Sequence, residues 1–247
     1  MLLPLLLIAA ILAAVALVGF GDGSGVDQEQ VQQEVATLLA DIPQDGATLG
    51  SLDAPITLRI YADLECPTVR MFVESHLPSL IDNWVRSGEV KLEYRSLETD
   101  TIEERTFFEQ EIAALAAGKQ DRMWDFALTF VLEQGERLTD YADEGFLTHI
   151  AAQVPALDQR RWRSDREGSA LSRRVARGVR SGHVEGLSST PSFVISVESG
   201  GSNKSLRELE ATVRRITNAL REESEEADLP VLKVSPEEAR ELGVSPG

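Results

Sequence analysis

The chain has 247 residues, of which 43% are hydrophobic and 26% are charged, and its net charge is −17. This length suits one globular domain with appendages and argues against a second full domain. The negative charge disfavours nucleic-acid binding, because phosphate recognition needs a basic surface. One cysteine excludes an internal disulfide framework, and the three histidines form no spaced ligand motif with it, so we expect no metal site and no cofactor.

The first twenty residues carry no charged and no strongly polar side chain, which predicts a transmembrane helix. Residues 1–21 fit either a retained signal anchor or a cleaved signal peptide. We favour the anchor, with residues 2–20 in the membrane, because the apolar run is longer than a signal-peptide core and a good cleavage site is missing. No Lys or Arg follows until Arg59, which permits export of the C-terminal side. The prediction is a single-pass protein of the cell membrane with an extracytoplasmic globular part, secreted if the segment is cleaved.

A linker or stalk is predicted over residues 22–46. It begins with the flexible run GDGSG, continues through a helix-compatible pattern at Asp27–Leu39, and ends at a break around Pro43–Gly50. The folded domain is predicted to start at Ala47 and to end at Leu220.

The first part of the domain has the pattern of strand, helix and strand. Ile56–Tyr61 and Val90–Tyr94 alternate in the manner of half-buried strands, and Pro67–Arg86 between them carries an apolar helical face that Pro78 should split. Because a strand–helix–strand unit is right-handed and joins parallel strands, we predict that these two strands pair in parallel.

The second part is mostly helical. Residues 102–184 show helical periodicity throughout, and their segment Gln159–Arg180 is rich in arginine, which indicates either contact with an anionic surface or partner, or an ordinary solvated helix face. A strand at Ser192–Val197 and an amphipathic helix at Leu206–Leu220 follow. The acidic tail 221–247 is predicted to be mostly disordered, with one short helix opening at Ser235.

The single cysteine, Cys66, lies where the first strand leads into the helix. A thiol at a helix N-terminus meets unpaired backbone N–H groups and the positive end of the helix dipole, which favour the reactive thiolate. The neighbouring Glu65 is expected to act as a modulator in the other direction, because a carboxylate beside a thiol disfavours the thiolate.

Several strings in a fixed order resemble the DsbA-like branch of the thioredoxin superfamily, a family of thiol-disulfide oxidoreductases. They are GSLDAPITL, YADLECP, SGEVKLEYR, EIAALAAGKQDRMWDF and GLSSTPSFVI. The resemblance covers about residues 47–220. It implies an α/β thioredoxin-like fold with a helical insertion, about residues 102–184, between the two halves of the sheet. It also implies disulfide chemistry on exported or unfolded proteins.

The resemblance assigns roles to single residues. Cys66 takes the place of the attacking thiol, and Pro67, Thr68 and Val69 complete the active-site motif, with Val69 standing where the family has its second cysteine.

A second assignment concerns the loop before the last strand. Pro191 takes the place of the family's cis-proline beside the active cysteine. A cis Thr190–Pro191 bond would turn the Ser189–Thr190 backbone toward Cys66 and form a groove that holds an extended peptide.

Two functions remain open at this point. In the first, Cys66 is a monothiol that attacks substrate disulfides, and an external thiol or a membrane redox partner resolves the product. In the second, the fold is redox-inactive and keeps only its groove, as a chaperone-like peptide-binding module. A cysteine that merely fills the core is the remaining interpretation.

Overall fold

The computed structural model describes residues 27–197, 206–227 and 233–234. Within them, six strands form one mixed sheet in the order β1-β2-β4-β3-β5-β6. The strands are β1 Gln44–Asp45, β2 Thr48–Leu49, β3 Ile56–Ala62, β4 Val90–Ser96, β5 Ser192–Val197 and β6 Lys233–Val234.

Helices precede, connect and follow the strands along the described part of the chain. They are α1 Gln28–Leu39, α2 Pro67–Ser75, α3 Leu77–Leu80, α4 Glu104–Gly118, α5 Met123–Leu132, α6 Glu144–Gln153, α7 Gln159–Arg166, α8 Ser169–Val184 and α9 Leu206–Ala227, and a π-helical turn, Ile81–Val85, extends α3.

The central strands pair as the sequence predicts. Strands β3 and β4 are parallel, with Ile56 opposite Val90, and β5 adds to the other side of β3 in the antiparallel sense. The predicted break at Pro78 is also confirmed, because α2 ends at Ser75 and α3 begins at Leu77. Five helices, α4 to α8, stand between β4 and β5, which is the predicted helical insertion.

The two faces of β3 meet different surroundings, because successive side chains of a strand point to opposite sides. Ile56, Leu58 and Ile60 belong to the main hydrophobic core, whereas Tyr61 belongs to a small second cluster with Leu97, Leu187 and Val194. Helix α8 packs against β4 on this second side.

The close packing of α8 depends on two glycines. A Cβ at Gly178 would lie 2.9 Å from the carbonyl oxygen of Ser96, and one at Gly182 would lie 2.9 Å from a methyl carbon of Leu97. The backbone of α8 therefore approaches the end of β4 more closely than larger residues would allow.

The predicted stalk, residues 22–46, differs from the structure where the structure describes it. Helix α1 buries Val31, Val35 and Leu39 in the main core, and β1 pairs with β2 at the edge of the sheet. The folded domain therefore begins before the predicted boundary at Ala47. The apolar spacing predicted the helix, but it did not show that the apolar face packs against the domain.

The predicted disordered tail, residues 221–247, also differs in part. Helix α9 continues to Ala227, and β6 pairs in parallel with β5. The short helix predicted from Ser235 lies outside the described residues, as does the predicted membrane segment 1–21. No helix among the described residues is long and apolar enough to cross a membrane.

Candidate functional site around Cys66

Cys66 precedes the first turn of α2, as the sequence predicts. It is the N-cap residue of α2, with extended backbone angles, and Pro67 occupies the first helical turn, where its missing N–H is not needed. The side chain makes no capping hydrogen bond. Cys66 as a residue is 2% exposed, so its side chain is buried rather than open to solvent.

The loop before β5 closes over this thiol. The Thr190–Pro191 peptide bond is cis, as predicted, and the Cys66 Sγ donates a hydrogen bond of 3.5 Å to the carbonyl oxygen of Thr190. The Thr68 hydroxyl lies 2.9 Å from the same Sγ and donates to the same carbonyl oxygen over 2.5 Å. Thiol, hydroxyl and carbonyl therefore form one triangle between α2 and the cis-proline loop.

The remaining predicted loop residue lies at the edge of this arrangement. The carbonyl oxygen of Ser189 accepts a hydrogen bond of 2.6 Å from the hydroxyl of Ser192, which fixes the turn that leads into β5. Val69, in the position of the family's second cysteine, is 4% exposed and packs in the main core.

A third segment, Thr99–Thr101, completes the site, and the sequence did not reveal it. The Thr99 hydroxyl lies 2.6 Å from that of Thr190, and the neighbouring Asp100 contributes to the raised pKa of the Cys66 thiol. No motif marks these residues. The only signal was their place directly after β4, whose carboxyl end lies beside that of its parallel neighbour β3.

One buried carboxylate holds the Thr99–Thr101 segment in place. Asp63 is fully buried, and its Oδ2 accepts hydrogen bonds of 3.0 to 3.1 Å from the backbone N–H groups of Thr99, Asp100 and Thr101. Because Asp63 lies three residues before Cys66, these bonds connect the segment that carries the thiol to the Thr99–Thr101 segment.

The surroundings keep Cys66 protonated. Burial raises the pKa of the Cys66 thiol above its ordinary value, and the Asp100 carboxylate adds to this rise. The side-chain hydroxyls of Thr190 and Thr68 and the backbone N–H of Val69, which can donate to the thiolate, oppose the rise without cancelling it. The helix N-terminus thus does not produce the thiolate that the sequence position alone suggested.

Glu65 does not act on the thiol in the way the sequence predicted. Its carboxylate is fully buried and points to the loop before α6, where it accepts hydrogen bonds from the backbone N–H groups of Asp140, Tyr141 and Ala142 at 2.7 to 3.1 Å. Burial raises the pKa of Glu65 itself. The carboxylate that raises the pKa of Cys66 belongs to Asp100, so Glu65 anchors a loop instead.

A third buried carboxylate lies behind the site. Glu111 of α4 is fully buried and accepts hydrogen bonds from the hydroxyls of Tyr94 (2.8 Å) and Ser96 (2.6 Å), and burial raises its pKa to about 8. Among the described residues, no group of three or more His, Cys, Asp or Glu side chains is arranged to hold a metal ion.

Comparison with known proteins agrees with this geometry. The family model of thioredoxin matches residues 43–215. No curated protein matches the sequence.

Solved structures share the fold at low sequence identity. BdbD from Bacillus subtilis, in its oxidised form, is 18% identical with a TM-score of 0.55, and the match covers 70% of this chain and 96% of that one. DsbA of Chlamydia trachomatis is 14% identical with a TM-score of 0.53, covering 69% and 90%. A thioredoxin-like oxidoreductase from Silicibacter pomeroyi DSS-3 is 24% identical with a TM-score of 0.50, covering 73% and 97%. The chain therefore belongs to the thioredoxin family, with the fold of its DsbA-type thiol-disulfide oxidoreductases and a degenerate motif that holds the single cysteine Cys66.

Proposed function

We propose that this protein exchanges disulfides in exported or unfolded proteins through Cys66 alone. The observation that carries the proposal is the position of the Cys66 Sγ, at the start of α2 and 3.5 Å from the carbonyl oxygen of Thr190 in the cis-proline loop. This is where a thioredoxin fold brings a substrate disulfide to a nucleophilic sulfur.

The reaction has two balanced steps. The Cys66 thiol loses its proton to solvent, and the thiolate attacks one sulfur of a substrate disulfide, forming a mixed disulfide and releasing the other sulfur as a thiolate. A second thiol, from the substrate or from an external small molecule or protein, then attacks the substrate sulfur of the mixed disulfide and releases Cys66. No net oxidation occurs, so the chemistry suits isomerisation rather than disulfide formation.

The raised pKa of Cys66 has a definite consequence for these steps. A thiol of high pKa is rarely ionised at neutral pH, but its thiolate is a strong nucleophile and a poor leaving group. Attack is therefore infrequent, and the mixed disulfide, once formed, lasts until a thiol resolves it. Val69 cannot perform this resolution, because its side chain carries no sulfur.

The test is the capture of a mixed disulfide. The full-length chain in detergent micelles is incubated with two short peptides joined by one disulfide, and the intact mass of the chain is measured before and after adding reduced glutathione. The expected result is an adduct of one peptide arm that disappears with glutathione. The Cys66→Ser variant, which differs from the thiol by one atom, is the matched control and should form none. Absence of an adduct on the unaltered chain rejects the proposal.

A second function is favoured by one observation, which is the 2% exposure of Cys66 beneath the bond between Thr68 and Thr190. In that case the fold binds extended peptides without reacting with them. Equal binding of an unfolded reduced protein by the unaltered chain and by Cys66→Ser, together with the absence of any adduct, identifies this function.

We also propose that residues 2–20 anchor the chain in the cell membrane with the domain on the extracytoplasmic side. The apolar, uncharged run supports the anchor, and the absence of basic residues before Arg59 supports the orientation. Protease added to intact cells should remove the domain while the N-terminal segment stays with the membrane fraction. Recovery of a soluble chain that starts after residue 20 indicates cleavage instead, and a protected domain contradicts the orientation.

A further inference from the structure

A cleft lies between α8 and the sheet, on the side away from the main core. Its volume is about 660 Å³, within the range of roughly 300 to 1,000 Å³ that small-molecule sites occupy. The lining residues come from β3, β4 and α8 and are Arg59, Tyr61, Arg95, Arg174, Arg177 and Arg180, with Ser181 and Glu185 beside them.

Five of these lining residues are arginines, on a chain whose net charge is −17. Glu93 of β4 neutralises part of the charge, with its Oε2 3.1 Å from Arg59 Nε and its Oε1 2.6 Å from Arg95 Nη2. Both pairs lie within the sheet. Glu93 therefore holds the side chains of Arg59 and Arg95 in place.

The arginines of α8 are not compensated in this way. Arg174, Arg177 and Arg180 form no ion pair within 4.0 Å with any acidic side chain in the described part of the chain. Burial and repulsion from Arg95 and Arg177 lower the pKa of Arg174, although the more distant carboxylates of Glu93 and Asp45 oppose this change. Arg174 is half-buried and Arg177 and Arg180 are exposed, and all three line the same cleft.

We propose that this cleft binds a small polyanion that carries phosphate groups. A guanidinium group presents a planar fork that matches two phosphate oxygens, and several forks around one cavity suit a ligand with more than one such group. At the base of the cleft the Tyr61 hydroxyl donates to the Ser181 hydroxyl over 3.1 Å, and Ser181 donates to the carbonyl oxygen of Gly178, so the guanidinium groups are the donors that face a ligand. The arginine-rich segment of the sequence thus acquires a function beyond solubility.

The cleft is separate from the thiol site. Arg59 and Tyr61 alternate along β3 with Leu58 and Ile60, which face the main core, so the cleft lies on the other face of the sheet. Anion binding in the cleft therefore does not depend on disulfide exchange at Cys66.

Titration calorimetry on the full-length chain in uncharged detergent micelles tests the proposal, with sodium tripolyphosphate as the probe. The double variant Arg174→Gln/Arg177→Gln should weaken binding by at least about tenfold, which is the loss expected for two charge-assisted contacts. The control is Arg160→Gln/Arg163→Gln, which removes the same charge from exposed positions on α7 and should change affinity by less than about twofold.

A variant that should bind more tightly distinguishes the loss of specific contacts from misfolding. Glu93→Gln removes the carboxylate that pairs with Arg59 and Arg95, so it should strengthen tripolyphosphate binding by about threefold or more. Far-ultraviolet circular dichroism of each variant confirms that the fold is retained.

A second arm distinguishes the source of the phosphate. Micelles doped with phosphatidylglycerol replace tripolyphosphate, and the thermal midpoint of the chain is measured with and without the lipid. A midpoint raised by the lipid alone, and lost in Arg174→Gln/Arg177→Gln but kept in the control, assigns the cleft to a lipid headgroup. Binding of tripolyphosphate assigns it to a soluble ligand. Equal losses in both double variants, or binding of neither probe, overturn the proposal.

Discussion

The hydroxyl of Thr68 donates a hydrogen bond of 2.5 Å to the carbonyl oxygen of Thr190, across 122 positions of sequence. This bond joins the first turn of α2 to the cis-proline loop, and the Cys66 thiol lies against both of its ends. A peptide strand that pairs with the Thr190 carbonyl must therefore compete with Thr68 for the same oxygen. Access to the site and the state of the thiol are coupled through one threonine.

Replacing Thr68 with valine tests this coupling. Thr68→Val keeps the shape of the side chain but removes the hydroxyl, so unfolding should become easier by about 1 to 2 kcal/mol. The pKa of Cys66 should rise further, because the Thr68 hydroxyl, 2.9 Å from Sγ, can no longer turn to donate to the thiolate. Chemical denaturation and the rate of iodoacetamide alkylation at pH 8 measure the two effects.

The matched control is Thr37→Val, at an exposed position of α1. It should cost less than about 0.5 kcal/mol and leave alkylation unchanged. Faster alkylation of Thr68→Val than of the unaltered chain would show that Thr68 only shields the thiol.

Asp100 supplies the negative charge that acts on the thiol. Asp100→Asn removes it, so the pKa of Cys66 should fall and alkylation should begin at lower pH. The midpoint of the rate against pH reports the change directly. Asp53→Asn, an exposed change of the same kind, should leave the midpoint in place. A midpoint that stays the same or rises in Asp100→Asn contradicts the assignment.

Glu111 makes stability depend on pH. Because its pKa is raised from 4.5 to about 8, the folded protein keeps a proton that the unfolded chain releases between these values. The stabilisation from protonated Glu111 is complete below pH 4.5 and is lost as the pH rises toward 8. The free energy of unfolding should fall by up to about 1.4 kcal/mol per pH unit in this range.

Glu111→Gln removes this group, and urea unfolding from pH 5 to pH 8 measures the result. The variant should show a flatter pH dependence than the unaltered chain, while Glu109→Gln, a partly exposed carboxylate on the same helix, should not. Parallel curves for Glu111→Gln and the unaltered chain would place the titration elsewhere.

A cysteine at position 69 would restore the family's pair of thiols. Val69 lies in the first turn of α2, three residues after Cys66, where the intramolecular resolving group belongs. Val69→Cys should therefore gain dithiothreitol-dependent reduction of insulin that the unaltered chain lacks. Val73→Cys, also buried but one turn further along α2, is the control and should gain none. If the two variants behave alike, the backbone around Cys66 does not have the geometry for a dithiol.

Local patterns were enough to predict the central fold. Alternating apolar residues marked β3, β4 and β5, and the helix between the first two required their parallel pairing, which the register of Ile56 with Val90 confirms. The same patterns put Cys66 at the helix start, and the cis bond before Pro191 followed from the family resemblance. These features depend on residues close together in sequence or on a pattern that the family shares.

The directions of single side chains could not be predicted in this way. Glu65 adjoins Cys66 in sequence, yet its carboxylate points to backbone N–H groups 75 to 77 residues away. Asp100 raises the pKa of the thiol from the segment after β4, and the arginines of α8 line a cleft where two glycines let this helix approach the sheet. Each of these relationships arises only when distant segments pack together.

Disulfide reshuffling in a substrate protein decides whether Cys66 exchanges disulfides. A substrate with scrambled disulfides is incubated with the full-length chain in detergent micelles and a trace of reduced glutathione, and the recovery of its native activity is followed in time. Recovery should be faster with the unaltered chain than with Cys66→Ser, which should match the reaction without protein. Equal rates for the unaltered chain and Cys66→Ser would contradict exchange at Cys66.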